Sequence, residues 1–119
     1  MAKILIVDDS KSMRNMIEMT LVDQGHEVIE AEDGLDALSK AEGHSFDAII
    51  TDINMPNMNG IELITELRKI DRFKSTPILC LTTESGDETK KKGKRAGATG
   101  WIVKPFKPEK LAKVISSVL

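Results

Sequence analysis

The chain has 119 residues, 40% apolar and 30% charged, with a formal net charge of −2. That fits one domain with one core, excludes a disordered chain, and gives no electrostatic case for nucleic-acid or membrane binding. No apolar run approaches ~18 residues, MAKILIVDD lacks a signal-peptide layout, and the lone Cys80 can form no internal disulfide, so the cytoplasm is the expected compartment.

Lys3 to Val7 (KILIV) reads as a first buried strand and ends in Asp8 and Asp9. Ser10 to Gln24 carries Met13, Met16, Ile17 and Leu21 at helical spacing and stops at Gly25. The methionines at 13, 16 and 19 are read as core packing with a solvated neighbour rather than as a binding face. His26 to Glu30 is a short second strand. Asp33-Gly34 turns the chain into a helix over Leu35 to Glu42, with Ala37, Leu38 and Ala41 inward. His26 and His44 have no metal-ligand partners at useful spacing and are read as surface residues.

Ala48 to Asp52 (AIITD) is the central strand, followed by a dense turn signal in Asn54, Pro56, Asn57, Asn59 and Gly60. Gly60 opens a helix with Ile61, Ile64, Leu67 and Arg68, ending near Asp71. Pro77 to Leu81 is a fourth strand, which ends in Thr82 and holds Cys80 as a small core residue. Gly86 to Ala96 predicts a fourth helix. Its first ten residues, GDETKKKGKR, offer no large apolar anchor, so its packing should be shallow and its stability low. Its lysines read equally as a partner-binding patch or a solvated face. Gly100 to Val103 is the fifth strand, ending at Lys104. Pro108 sits in the first turn of a last helix with Leu111, Val114, Ile115 and Val118 as its stripe.

The strand–helix alternation occurs five times and predicts a doubly wound α/β fold, a parallel sheet with helices on both faces. Residues 1–119 show no repeat, linker or second domain, so a single-domain unit is expected. Four strands end in acids, an acid, a hydroxyl and an amine: Asp8–Asp9, Asp52, Thr82 and Lys104. In open parallel sheets ligands bind outside the carboxyl ends of the strands. Three carboxylates converging there repel one another unless a counter-charge is present. The Lys104 ammonium is one; a divalent metal is another, and an all-oxygen donor set with room for waters favours Mg²⁺. A metal beside a carboxylate suits phosphoryl transfer, with Asp52 as nucleophile and Thr82 donating to a phosphoryl oxygen.

The set Asp8–Asp9, Asp52 followed by Met-Pro, Thr82, and Lys104-Pro105-Phe106 resembles the receiver domain of bacterial response regulators over the whole chain. TTES at Thr82 to Ser85 and AGATGWIVKPF at Ala96 to Phe106 are similar to single-domain chemotaxis regulators of the CheY type. The resemblance implies a flavodoxin-like five-stranded sheet in the order 2-1-3-4-5. It implies Asp52 as phosphoacceptor, with Asp8, Asp9, Asp52 and the backbone carbonyl of Asn54 around Mg²⁺. The donor is then a phosphohistidine on a sensor histidine kinase. Lys104-Pro105 is expected to be cis. Thr82, Trp101 and Lys104 form the switch, with Trp101 where the family usually has Tyr or Phe. Asn54 and Glu84 flank the path of the hydrolytic water. The face from the fourth helix through Trp101 to the last helix is expected to engage the flagellar-motor switch. A phosphatase is a further expected partner, and the protein is expected to be a monomer.

Three rival readings remain. A phosphohydrolase with an Asp nucleophile typically has a second Asp two positions on, where this chain has Asn54. An FMN carrier of the same winding needs a neutral phosphate loop, which Asp8 and Asp9 oppose. Finally, a receiver that docks without phosphorylation would not need the intact acids, Thr82 and Lys104. The expected molecule is thus a phosphoacceptor signalling protein rather than a turnover enzyme, or alternatively a phosphorelay intermediate.

Overall fold

The computed structural model describes residues 2–83 and 87–119. Among these, strands and helices alternate as β1 (Lys3–Val7), α1 (Lys11–Asp23), β2 (Glu27–Ala31), α2 (Gly34–Glu42), β3 (Ala48–Asp52), α3 (Gly60–Arg68), β4 (Ile78–Thr82), α4 (Asp87–Ala96), β5 (Gly100–Val103) and α5 (Pro108–Val118), with a 3₁₀ turn at Asp71–Phe73. The strands pair in parallel in the order β2-β1-β3-β4-β5. This is the doubly wound, flavodoxin-like sheet expected from the sequence.

The apolar runs are continuous because both sheet faces are covered. On one face Leu5, Val7, Ile49, Ile78 and Cys80 pack with Ala37 and Ala41 of α2 and with Leu63, Ile64 and Leu67 of α3. On the other, Ile4, Ile6, Ile50, Leu79 and Leu81 pack with Ile17 and Leu21 of α1 and with Leu111 and Ile115 of α5. Each fully buried aliphatic side chain contributes about 1.5–3 kcal/mol. Cys80 belongs to the first of these layers, and burial pushes its thiol up to about 12, which makes it unreactive.

Local chemistry sets the helix starts. The Ser10 hydroxyl accepts from Met13 N, and the Asp33 carboxylate accepts from Asp36 N at 2.8 Å. Asn59 and Glu62 form a reciprocal capping box that starts α3 behind the turn. Helix α3 stops at Arg68 rather than near Asp71, because Ile70 is extended and the chain then tightens into the 3₁₀ turn that buries Phe73. Strand β2 begins at Glu27, one residue later than expected. The histidines are half-buried rather than surface residues. His26 Nδ1 accepts from Ala2 N at 3.1 Å, and His44 Nδ1 lies 2.8 Å from Lys3 Nζ with its ring 5.8 Å from that of Phe46. Both ties run between residues far apart in sequence, so no local pattern announces them.

Arg68 closes the bottom of the α3–α4 layer without any carboxylate partner among the described residues. Its guanidinium donates to the carbonyls of Phe73, Thr76 and Gly97. Gly97, at φ 111°, follows α4, and a Cβ there would sit 3.0 Å from the Arg68 side chain.

Gly60 is fixed by a closer approach. Its N–H donates to Ile53 O at 2.9 Å, and a Cβ would lie 2.2 Å from the carbonyl oxygen of Asp52. Helix α3 therefore starts directly against the backbone of the central strand's last residue. Gly60→Ala is expected to destabilise the protein by about 3 kcal/mol, at the upper end of ordinary single-site losses. The check is the urea midpoint, with an unchanged midpoint counting against the packing described.

Candidate functional site

The order of strands makes β1 and β3 neighbours, with Val7 opposite Thr51. The next residues along each strand, Asp8 and Asp52, therefore arrive side by side at the carboxyl edge. Asp8 is fully buried, Asp52 nearly so, and Asp9 is exposed. Carboxylate oxygens of all three lie within 4.8 Å of one another. The loop after β5 brings in Lys104 through a cis Lys104–Pro105 peptide bond, as expected. Its ammonium bridges Asp8 Oδ2 and Asp52 Oδ2, each at 3.2 Å.

Backbone groups complete the setting. Ser10 N donates to Asp8 Oδ1 at 2.9 Å, and Ile53 N donates to Asp52 Oδ1 at 2.8 Å. Burial, followed by the Asp8 charge, raises the pKa of Asp52; the Lys104 ammonium pulls it the other way. Three carboxylates against one ammonium leave two formal negative charges at the mouth. Hard oxygen donors with that residual charge fit Mg²⁺, with the exposed Asp9 leaving room for waters.

Thr82 ends β4, one position beyond the residue paired with Asp52, and its carbonyl accepts from Lys104 N at 2.7 Å. Its side chain is buried. Asn54 is exposed in the loop two residues beyond Asp52. Glu84 lies outside the described residues. Trp101 is not at the mouth. It pairs with Cys80, two positions below the Thr82–Val103 pair, and packs half-buried on the α3–α4 side of the sheet. Gly93 makes room for it: a Cβ there would lie 2.6 Å from Trp101 Cζ3. The shallow packing expected of α4 is therefore correct in composition but incomplete, since the indole supplies the apolar contact. Beside it a groove of about 220 Å³ is lined by Lys90, Lys94, Ala98, Thr99, Gly100 and Trp101.

Sequence reasoning missed two contributors. Arg14 donates to the backbone carbonyl of Asp8 at 2.6 Å, and Asn57, at φ 68°, donates to Asp33 Oδ2 at 2.8 Å, tying the loop after β3 to the start of α2. An arginine one turn into the helix that follows an acid pair was the only available signal for the first.

Known proteins resemble this chain in sequence and in fold. The sequence profile of the response regulator receiver domain matches residues 4–116. Chemotaxis protein CheY1 of Helicobacter pylori is 43% identical over 119 residues, covering 98% of this chain and 96% of that protein. The structure of the chemotaxis response regulator CheY4 of Vibrio cholerae superposes with a TM-score of 0.96 at 54% identity, covering 100% of this chain and 99% of that one. The receiver domain of a sensor histidine kinase from Pseudomonas aeruginosa, solved with a magnesium ion coordinated in its active-site cleft, superposes with a TM-score of 0.90 at 28% identity, covering 98% and 95% of the two chains.

Two outcomes follow from the geometry. The raised pKa of Asp52 means that the folded state holds this proton more tightly than the unfolded chain does. Its ionisation therefore costs stability as pH rises from about 3.8 through the raised value. Without divalent cations, Asp52→Asn should melt a few degrees higher than the parent at neutral pH, and the gain should vanish below about pH 3.8. Thermal melts in EDTA across that range decide it, and a variant melting lower at neutral pH contradicts the electrostatic account. Separately, Gly93→Ala gains about 1 kcal/mol of helix propensity yet should displace the indole, red-shifting Trp101 emission and increasing its quenching by iodide. Unchanged fluorescence would mean that the ring and α4 are not in the contact described.

Proposed function

Because this chain belongs to the response regulator receiver family, among its CheY-type chemotaxis members, we propose that it is switched by phosphorylation of Asp52. The observation that carries this reading is the Lys104 ammonium held 3.2 Å from both Asp8 and Asp52 at the strand-end mouth. A carboxylate oxygen of Asp52 attacks the phosphorus of a phosphohistidine on a sensor kinase. The O–P bond forms as the P–N bond breaks, and the electron pair leaves with the imidazole. The transfer needs little acid–base help from the protein, consistent with the absence of a histidine from the described mouth.

Each neighbouring group has a role in this reading. Lys104 moves its charge from the carboxylates to the incoming phosphoryl oxygens. Thr82, at the end of the adjacent strand, donates its hydroxyl to one of them. Asp9, Asp52 and the carbonyl of Asn54, with Asp8 beside them, would hold Mg²⁺, which would neutralise charge on the transferring group. Hydrolysis by an in-line water releases phosphate, with the exposed Asn54 beside its path.

The phosphoryl group adds nearly two negative charges and three acceptor oxygens. Drawing Thr82 and Lys104 toward them alters the face formed by α4, β5 and α5, where Trp101 packs on Gly93. We read residues 1–119 as one receiver unit working as a cytoplasmic monomer, with this face contacting the flagellar-motor switch and a phosphatase as a further partner.

Acetyl phosphate with Mg²⁺ should add one phosphoryl group to the parent, located at Asp52 by mass spectrometry. Asp52→Asn should show none, and Lys104→Ala should label at least tenfold more slowly, since removing one preorganised donor aimed at developing charge typically costs about 10²–10³ in rate. Equal labelling of Asp52→Asn would refute the assignment.

A further inference from the structure

We propose that Arg14 is a positioning residue that presets the Asp8–Asp9 pair for a divalent cation, an inference that rests on the metal reading of the mouth given above. Asp9 is exposed, and no hydrogen bond to its carboxylate appears among the described residues. Its direction therefore comes from the backbone on either side of it. On the far side Ser10 N is tied to Asp8 Oδ1 at 2.9 Å. On the near side the Asp8 carbonyl, one end of the peptide joining the two acids, accepts from Arg14 Nη1 at 2.6 Å.

Arg14 can do this because it is held in turn. Its Nε donates to Glu30 Oε1 at 3.1 Å, and its side chain is only 16% exposed. Glu30 lies on β2, and the carbonyl of its neighbour Ala31 accepts from Asp8 N at 3.2 Å. The Asp8 peptide groups are thus fixed on both sides, one by the sheet and one by a guanidinium braced on the same strand. A planar fork can span carboxylate and carbonyl together, which a single ammonium cannot do with the same geometry. Partners that orient metal ligands in this way typically account for about 10–100-fold in metal affinity.

The charge of Arg14 gives the test its sign. A cation near the mouth repels a divalent ion, so removing the charge alone would strengthen Mg²⁺ binding. Loss of positioning does the opposite. Titration calorimetry with Mg²⁺ at fixed ionic strength should show binding weakened about tenfold or more in Arg14→Met, and also weakened in Arg14→Lys, which keeps the charge but not the fork. Melting curves in EDTA confirm that each variant is folded; Arg14→Lys carries the test if the methionine variant is not. Tighter or unchanged binding in the folded variants overturns the proposal, as does a lysine variant that binds like the parent. A parent that takes up no Mg²⁺ overturns the metal reading itself, and the role of Arg14 with it.

Discussion

One ammonium group faces three carboxylates at the mouth of the sheet, and the fold is arranged so that it can. Like charges this close would drive a carboxyl to take up a proton if nothing opposed them. Asp8 and Asp52 are brought together by the adjacency of β1 and β3 and largely removed from water. Lys104 reaches them from the last strand's loop, nearly a hundred residues after Asp8. The site is consequently a property of the completed sheet: no short piece of chain contains both the acids and the amine.

The acids are controlled mainly through backbone. Asp8 is gripped at its carboxylate by Ser10 N and Lys104 and at its carbonyl by Arg14; Asp52 is gripped at its carboxylate by Ile53 N and Lys104. The absence of a side chain at Gly60 lets the next helix begin against the Asp52 carbonyl. Such contacts leave the carboxylates of Asp8 and Asp52 few alternative positions, so a cation or phosphoryl group arriving there would meet an arrangement already formed. Preorganisation of this kind avoids reorganisation at the moment of reaction.

Four of the five strands were legible because each is an apolar run with an abrupt polar end, and the order of those ends named Asp8, Asp9, Asp52, Thr82 and Lys104. Their meeting at one edge followed from the parallel winding, while the strand order itself came from the resemblance. Arg14 and Arg68 were not legible, because an arginine on a helix reads as solvated until its acceptors are known, and those acceptors are backbone carbonyls that carry no sequence signal. The contact that holds Trp101 inward was hidden. It depends on Gly93 standing opposite the ring on α4, a complementarity between positions on different elements. The histidines illustrate the same limit, since their partners, Ala2 and Lys3, lie just before and at the start of β1, far from them in sequence.

Arg68 has a consequence for how α4 can move. Its nitrogen atoms hold the turn after α4 and the turn before β4 together at Gly97, Phe73 and Thr76. The far end of α4 is thereby pinned to α3, whereas the near end lies toward the Thr82 side. A rod fastened at one end responds to a push at the other by tilting about its fastening, so displacement grows along α4 toward the mouth and is least beside Gly97. Trp101, opposite Gly93 and close to that fulcrum, then experiences a small rotation of the helix as a change of fit rather than as a large translation.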